Sequence, residues 1–136
     1  MKFLAALCAT AIVSACVTRD PLPPLLRGAA THGGSSPCPT HTPAYPSSKP
    51  SPSEFSRRLA TEFPAGSNEI TLLTELKDQG FVPHGTCDLD PSMRIAKFHL
   101  SGTWSSPVAI DAFAYWKLDE HGRIAWTSGE VWLTGP

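Results

Sequence analysis

Nine of the chain's fourteen prolines fall between Val17 and Ser53: Pro21, Pro23, Pro24, Pro37, Pro39, Pro43, Pro46, Pro50 and Pro52. Proline fixes φ and brings no backbone N–H, so at this density it excludes both a helix interior and a central strand. With Gly, Ser and Thr between the prolines, the segment reads as a disordered, partly extended tether. It spans about 35 Å as a random coil and about 115 Å as polyproline. Leu22, Leu25, Leu26 and Tyr45 are the residues by which a partner would hold it, against the plainer role of a spacer. Any folded core must come from residues 54–136, which suffices for one small domain.

The chain begins with Met1-Lys2, an apolar run of eleven residues from Phe3 to Val13, and then Val13-Ser14-Ala15-Cys16. The run is far short of the roughly 20 residues a membrane-crossing helix needs, and fits an export leader instead. Cys8 follows Leu7 and has almost no apolar region before it, so it is no cut site. The Val-Ser-Ala-Cys sequence resembles the lipobox of bacterial lipoproteins. That resemblance implies a signal peptide over residues 1–15, cleavage before Cys16, and palmitate-type acyl chains on its thiol. An ordinary secreted protein cut near Ala15 would instead leave Cys16 as a spare thiol. Each buried methylene contributes about 0.8 kcal/mol, so several chains on one cysteine make a lasting membrane anchor. Val17, rather than Asp, follows the cysteine. By the same resemblance this favours the outer membrane, on its periplasmic face.

Charge narrows the partners. Residues 17–53 carry three Lys/Arg against one Asp, whereas residues 54–136 carry seven Lys/Arg against eleven Asp/Glu, a net of −4. A mildly acidic domain on a weakly basic tether lacks the clustered cations that phosphate contacts require, so nucleic acid is excluded as a partner. With Cys8 removed and Cys16 acylated, Cys38 and Cys87 are the thiols left. An oxidising periplasm lets such a pair close into a disulfide, and a loop of 49 positions is worth about 4 kcal/mol in the chain-entropy model. Two unrelated thiols are the alternative.

Ser51-Pro52-Ser53-Glu54 predicts a helix start, with Ser51 as N-cap and Glu54 closing a capping box. Phe55, Leu59 and Phe63 form its apolar stripe, and Pro64 ends it. Ser67 then caps a second helix, with Ile70, Leu72, Leu73 and Leu76 apolar and a Schellman ending at Gly80-Phe81. Alternation predicts strands over 94–100, 109–118 and 123–133, the last two joined by Asp119-Glu120-His121-Gly122. Trp116 and Leu118 are expected on one face, with Ile124 and Trp126 across the turn. Phe81 to Pro83 reads as a short edge strand capped by Pro83. The expected fold is α+β: two N-terminal helices packed on one face of a three- to four-stranded antiparallel sheet, after the Pro-rich tether.

No catalytic constellation stands out. His84-x-x-Cys87 has metal-ligand residue types but no second pair to complete a zinc site, and Asp88-x-Asp90 reads as a turn. His84, His99 and His121 could each act as a base, but no serine or cysteine stands in a nucleophile motif. The expectation is therefore no enzyme, no metal, no cofactor and no small-molecule substrate. Of the four tryptophans, alternation sends Trp116 and Trp126 inward. Trp104 and Trp132, nearer strand ends, remain as candidate partner contacts.

Gly66-Ser67, Gly80, Trp116-Lys117-Leu118-Asp119 and Gly122-Arg123-Ile124 together resemble the plan of small outer-membrane lipoproteins of the BamE (also SmpA or OmlA) type and of β-lactamase-inhibitor-like domains. The resemblance covers residues 54–136 behind a lipidated tether at 16–53. Cys87 and the long Pro-rich segment stand outside it. It implies scaffolding of an envelope protein in barrel assembly. A periplasmic inhibitor or immunity protein, capping a hydrolase or toxin with its acidic domain, is the alternative.

Overall fold

The computed structural model describes residues 21–29, 53–105 and 107–134. Two helices, α1 (Glu54–Glu62) and α2 (Glu69–Asp78), precede four strands. These are β1 (Val82–Thr86), β2 (Arg94–Leu100), β3 (Ala109–Leu118) and β4 (Ile124–Thr134). The strands form one open antiparallel sheet in the order β1-β2-β3-β4.

Both helix caps lie one or two residues beyond the expected serines. Ser53, not Ser51, caps α1, its Oγ accepting from the Ser56 N–H at 3.0 Å. Asn68, not Ser67, caps α2 by accepting from the Ile70 N–H at 2.8 Å. Ser67 is engaged elsewhere: its carbonyl accepts from the Ile124 N–H, and the Gly66 N–H donates to the Ile124 carbonyl. This short ladder joins the α1–α2 loop to the start of β4. The end of α2 follows the Schellman pattern, with Gly80 N–H to the Lys77 carbonyl, Phe81 N–H to the Leu76 carbonyl, and Gly80 at φ 86°.

One core cluster gathers Phe55, Leu59 and Phe63, then Leu72 and Leu76, then Phe81, Ala96, Phe98, Ala112, Ala114, Trp116, Ile124 and Val131. Ile70 leaves the expected stripe and stands 71% exposed. Beside the Asn68 cap it falls outside the narrow arc defined by Leu72 and Leu76. At the start of α2, Glu69 accepts from Trp116 Nε1 at 2.7 Å and pairs with Arg94, which ties the helix to β3 and β2.

Strand α1 faces, β4, comes very close at Gly129. A Cβ there would lie 2.6 Å from Phe55 Cε1 and 2.9 Å from Leu59 Cδ1, so only glycine fits. The same approach blunts the sheet edge. Ser53 Oγ and Ser56 Oγ donate to the Gly129 carbonyl at 2.6 and 2.8 Å, and the Gly129 N–H donates back to Ser56 Oγ at 2.8 Å.

Three expectations need correction. Residues 21–29 are not free tether: Pro24–Leu26 form a 3-10 turn, and Leu25 and Leu26 are buried in the helix-side cluster, with Leu22 packed against it. The chain thus receives these leucines itself. Arg58 Nη1 donates to the carbonyls of Pro24, Leu25 and Arg27, and Gln79 Oε1 accepts from the Leu25 N–H. The edge strand runs through Pro83 to Thr86, since an edge position tolerates the missing donor; its register shifts between Pro83 and Gly85. Finally, a bulge between Lys117 and Leu118 moves Trp126 opposite Lys117, onto the sheet face away from Trp116.

Gly129→Ala is expected to destabilise the domain by about 1–3 kcal/mol through overpacking against Phe55. Urea unfolding of the variant beside a Phe55→Leu, Gly129→Ala double variant checks this, with partial recovery expected in the double.

Candidate functional site

Of the residues singled out in the sequence, Cys16 and Cys38 lie outside the described residues, as does Cys8. Cys87 is disulfide-bonded and 1% exposed. Its sulfur lies 3.6 Å from Met93 Sδ, a van der Waals contact, since a disulfide sulfur has no proton to donate. Bonded in this way, it offers no thiolate to a metal. Among the described residues no group of three His, Cys, Asp or Glu side chains is placed to hold a metal ion. No helix among them is long and apolar enough to cross a membrane.

Cys87 belongs to a second apolar cluster with Met93, Ile95, Phe113 and Tyr115, against which Trp126 and Trp132 pack. This cluster draws nothing from α1, α2 or the 3-10 turn. Strand alternation explains it: Ile95 pairs with Tyr115 and Lys97 with Phe113, all on the face opposite Ala96 and Ala114. Phe113 is its hub. Trp132 lies 4.9 Å from the Phe113 ring centre, Tyr115 6.3 Å and His84 6.1 Å, and the Lys97 ammonium sits 5.5 Å over the ring. Burial raises the Tyr115 phenol pKa well above its ordinary value, and the Glu130 carboxylate adds to the rise.

At one end of this face Asp111 organises a polar rim. Its Oδ1 accepts from Lys97 Nζ at 3.0 Å and lies 2.9 Å from His99 Nδ1, while His99 Nε2 lies 3.1 Å from Ser101 Oγ. Burial by itself would raise the Asp111 carboxyl, but the hydrogen bonds and charges of His99 and Lys97 outweigh it and hold the group below the usual range. Carboxylate, imidazole and hydroxyl thus follow one another in the connectivity of a nucleophilic triad. Two features count against that use. The Lys97 ammonium already occupies the same Asp111 oxygen, and His99 stands half exposed on open sheet. The arrangement suits a solvated charge cluster better than a base kept out of water.

The two tryptophans taken as partner contacts belong to this end. Trp132 stands opposite Asp111, partly buried against Phe113. Trp104 is fully exposed in the segment between β2 and β3, which leaves the sheet at the Leu100–Ile110 pair. The register therefore brings both to one end of the sheet.

On the opposite side of the molecule an open cleft of about 630 Å³ lies between the 3-10 turn and the helices. Pro24, Leu25, Glu54, Arg58, Glu62 and Glu75 are among its lining residues. Burial raises the Glu62 carboxyl above its ordinary range, and the neighbouring Glu75 raises it further. Arg58 pairs with Glu54 as well as holding the turn. No spacing in the sequence announces Arg58 or Gln79 as the residues that grip Pro24–Arg27, because their partners stand 31 to 54 positions away.

No protein-family model, curated protein or solved structure matches the chain.

Stability contributed by Asp111 is present above the ordinary carboxylate pKa of about 4 and is lost as pH falls through its lowered folded value. Asp111→Asn is expected to cost about 1 kcal/mol at pH 7 and to flatten the decline below about pH 4. Urea midpoints measured from pH 7 down to pH 2.5 check both.

Proposed function

We propose that the protein is a non-catalytic lipoprotein of the bacterial outer membrane, anchored by acyl chains on Cys16 and binding an envelope protein on the periplasmic face. The observation that carries this reading is the Val13-Ser14-Ala15-Cys16 sequence behind its short apolar run. A lipid anchor on a small domain serves to hold a binding surface at a membrane. Resemblance to the BamE-type lipoproteins adds barrel assembly as the process served. The binding surface is assigned to the end of the sheet that carries Trp104 and Trp132. A fully exposed tryptophan is costly to leave in water, and aromatic side chains are the commonest anchors of interfaces.

The second reading, an inhibitor or immunity protein, draws on the net charge of −4 over residues 54–136, which suits a basic enzyme or toxin. Crosslinking in living cells separates the two. Barrel-assembly subunits or resident porins among the products support the scaffold, and a secreted effector or hydrolase supports the inhibitor.

Two outcomes are expected. Cys16→Ser abolishes incorporation of labelled palmitate and releases the protein from the membrane fraction; retention of both in the variant overturns the anchor. Trp104→Ala weakens partner capture roughly 30-fold, the effect of losing about 2 kcal/mol at a hot spot. Its unfolding midpoint stays unchanged, since Trp104 is fully exposed.

A further inference from the structure

The sheet has two outer edges, and the chain treats them differently. Along β1, Pro83 lacks an N–H, Gly85 takes φ 90° and the register shifts between them, all of which hinder the addition of a further strand. Along β4, Gly66 and Ser67 bond to Ile124, and the Ser53 and Ser56 hydroxyls bond to Gly129, occupying the outward backbone groups. That cover stops at Gly129, whereas β4 and its pairing with β3 continue to Thr134.

The register decides which groups lie beyond the cover. Gly129 turns its N–H and C=O away from β3, toward the serines, and the pairing is unbroken from there to Thr134 and Ala109. Alternate residues of an antiparallel strand point their backbone groups the same way, so Val131 and Leu133 also turn theirs outward. Among the described residues, nothing bonds to those groups. Val131-Trp132-Leu133-Thr134 contains no proline, bulge or charged side chain, the devices that ordinarily protect an edge. Leu133, opposite Ile110, is in addition 49% exposed.

We propose that the edge of β4 from Val131 to Thr134 takes up an extended segment of another protein as a further strand of the sheet. Hydrogen bonds to the Val131 and Leu133 backbone hold it, the mode by which exposed sheet edges capture peptides. The side chains of such a segment alternate. Those on the helix side extend the apolar row of Val131 and Leu133, and those on the other side lie beside Trp132, on the face that carries the Asp111 rim. The net charge of −4 over residues 54–136 favours cationic flanks. The inference rests on the binding surface proposed for this end of the sheet and specifies how that surface holds its partner.

The test titrates the full exported chain, in detergent micelles, with a synthetic peptide alternating valine and threonine and bearing lysine at each end. Amide hydrogen exchange is expected to slow roughly tenfold at Val131 and Leu133 and to stay unchanged along β1. The same peptide N-methylated at every residue keeps its side chains but no donor, and is expected to have no effect. Leu133→Pro removes one outward N–H, which an edge position tolerates. It is expected to weaken peptide binding roughly tenfold, the effect of one lost hydrogen bond, with the unfolding midpoint held. If that variant fails to fold, the two peptides on the unaltered chain still decide. Equal slowing by the N-methylated peptide, slowing elsewhere only, or none at all overturns strand addition. So does protection of both amides before peptide is added, whether from a second copy or from another segment of the chain. The binding surface is judged separately, by whether Trp104→Ala lowers partner capture, so it can stand when strand addition falls.

Discussion

The approach of α1 to β4 at Gly129 is the contact on which the rest of the domain depends. Phe55 and Leu59 occupy the space that any side chain at 129 would need, so the helix lies directly on strand backbone. That closeness lets two serine hydroxyls reach the strand's outward N–H and C=O, converting an open edge into a hydrogen-bonded seam. It also sets the height of Phe55 over Phe81, whose rings lie 5.8 Å apart, and of Phe81 beside Phe98 at 5.5 Å. A single missing methyl group therefore positions an aromatic chain that crosses the whole core.

The sheet divides its labour between faces. Toward the helices it presents Ala96, Ala112 and Ala114, small residues over which the larger side chains of α1 and α2 settle. Toward the other side it presents Ile95, Phe113 and Tyr115, with Trp126 and Trp132 alongside. A face of that composition is not a solvated one. Its ends differ in turn. The Asp111 end is rimmed by Lys97, His99 and Ser101, whereas the Tyr115 end is apolar around Cys87 and Met93.

Much of the fold was legible in the sequence because its signals are local. Phe55, Leu59 and Phe63 at a spacing of four, Gly80 before Phe81, and alternation through residues 94–100 each report on a few neighbours, and the two helices and the antiparallel strands follow from them. What escaped depends on distant residues. Ser67 looks like a cap until Ile124 claims its carbonyl. Trp126 reads as inward by simple counting, but one extra residue at the bulge reverses it. Leu25 and Leu26 lie among prolines and gain their place from Arg58 and Gln79, which no local pattern couples to them. The candidate site was legible only in part. Trp104 and Trp132 were chosen for lying near strand ends, while the Asp111–His99–Ser101 chain emerges only once β2 and β3 are in register.

The grip of Arg58 on the Pro24–Arg27 carbonyls bears on where the domain stands. A chain free from residue 17 to residue 53 would hold its domain many tens of ångströms from the bilayer. With Pro21 to Ala29 seated against the helices, only Val17 to Asp20 separate the docked segment from Cys16. Five peptide units reach about 17 Å. If Cys16 carries acyl chains as proposed, the domain rides close over the lipid headgroups, and the turn at Pro24 is the side it turns toward them. The leash is short, and the orientation it imposes is part of how such a protein would meet its partner.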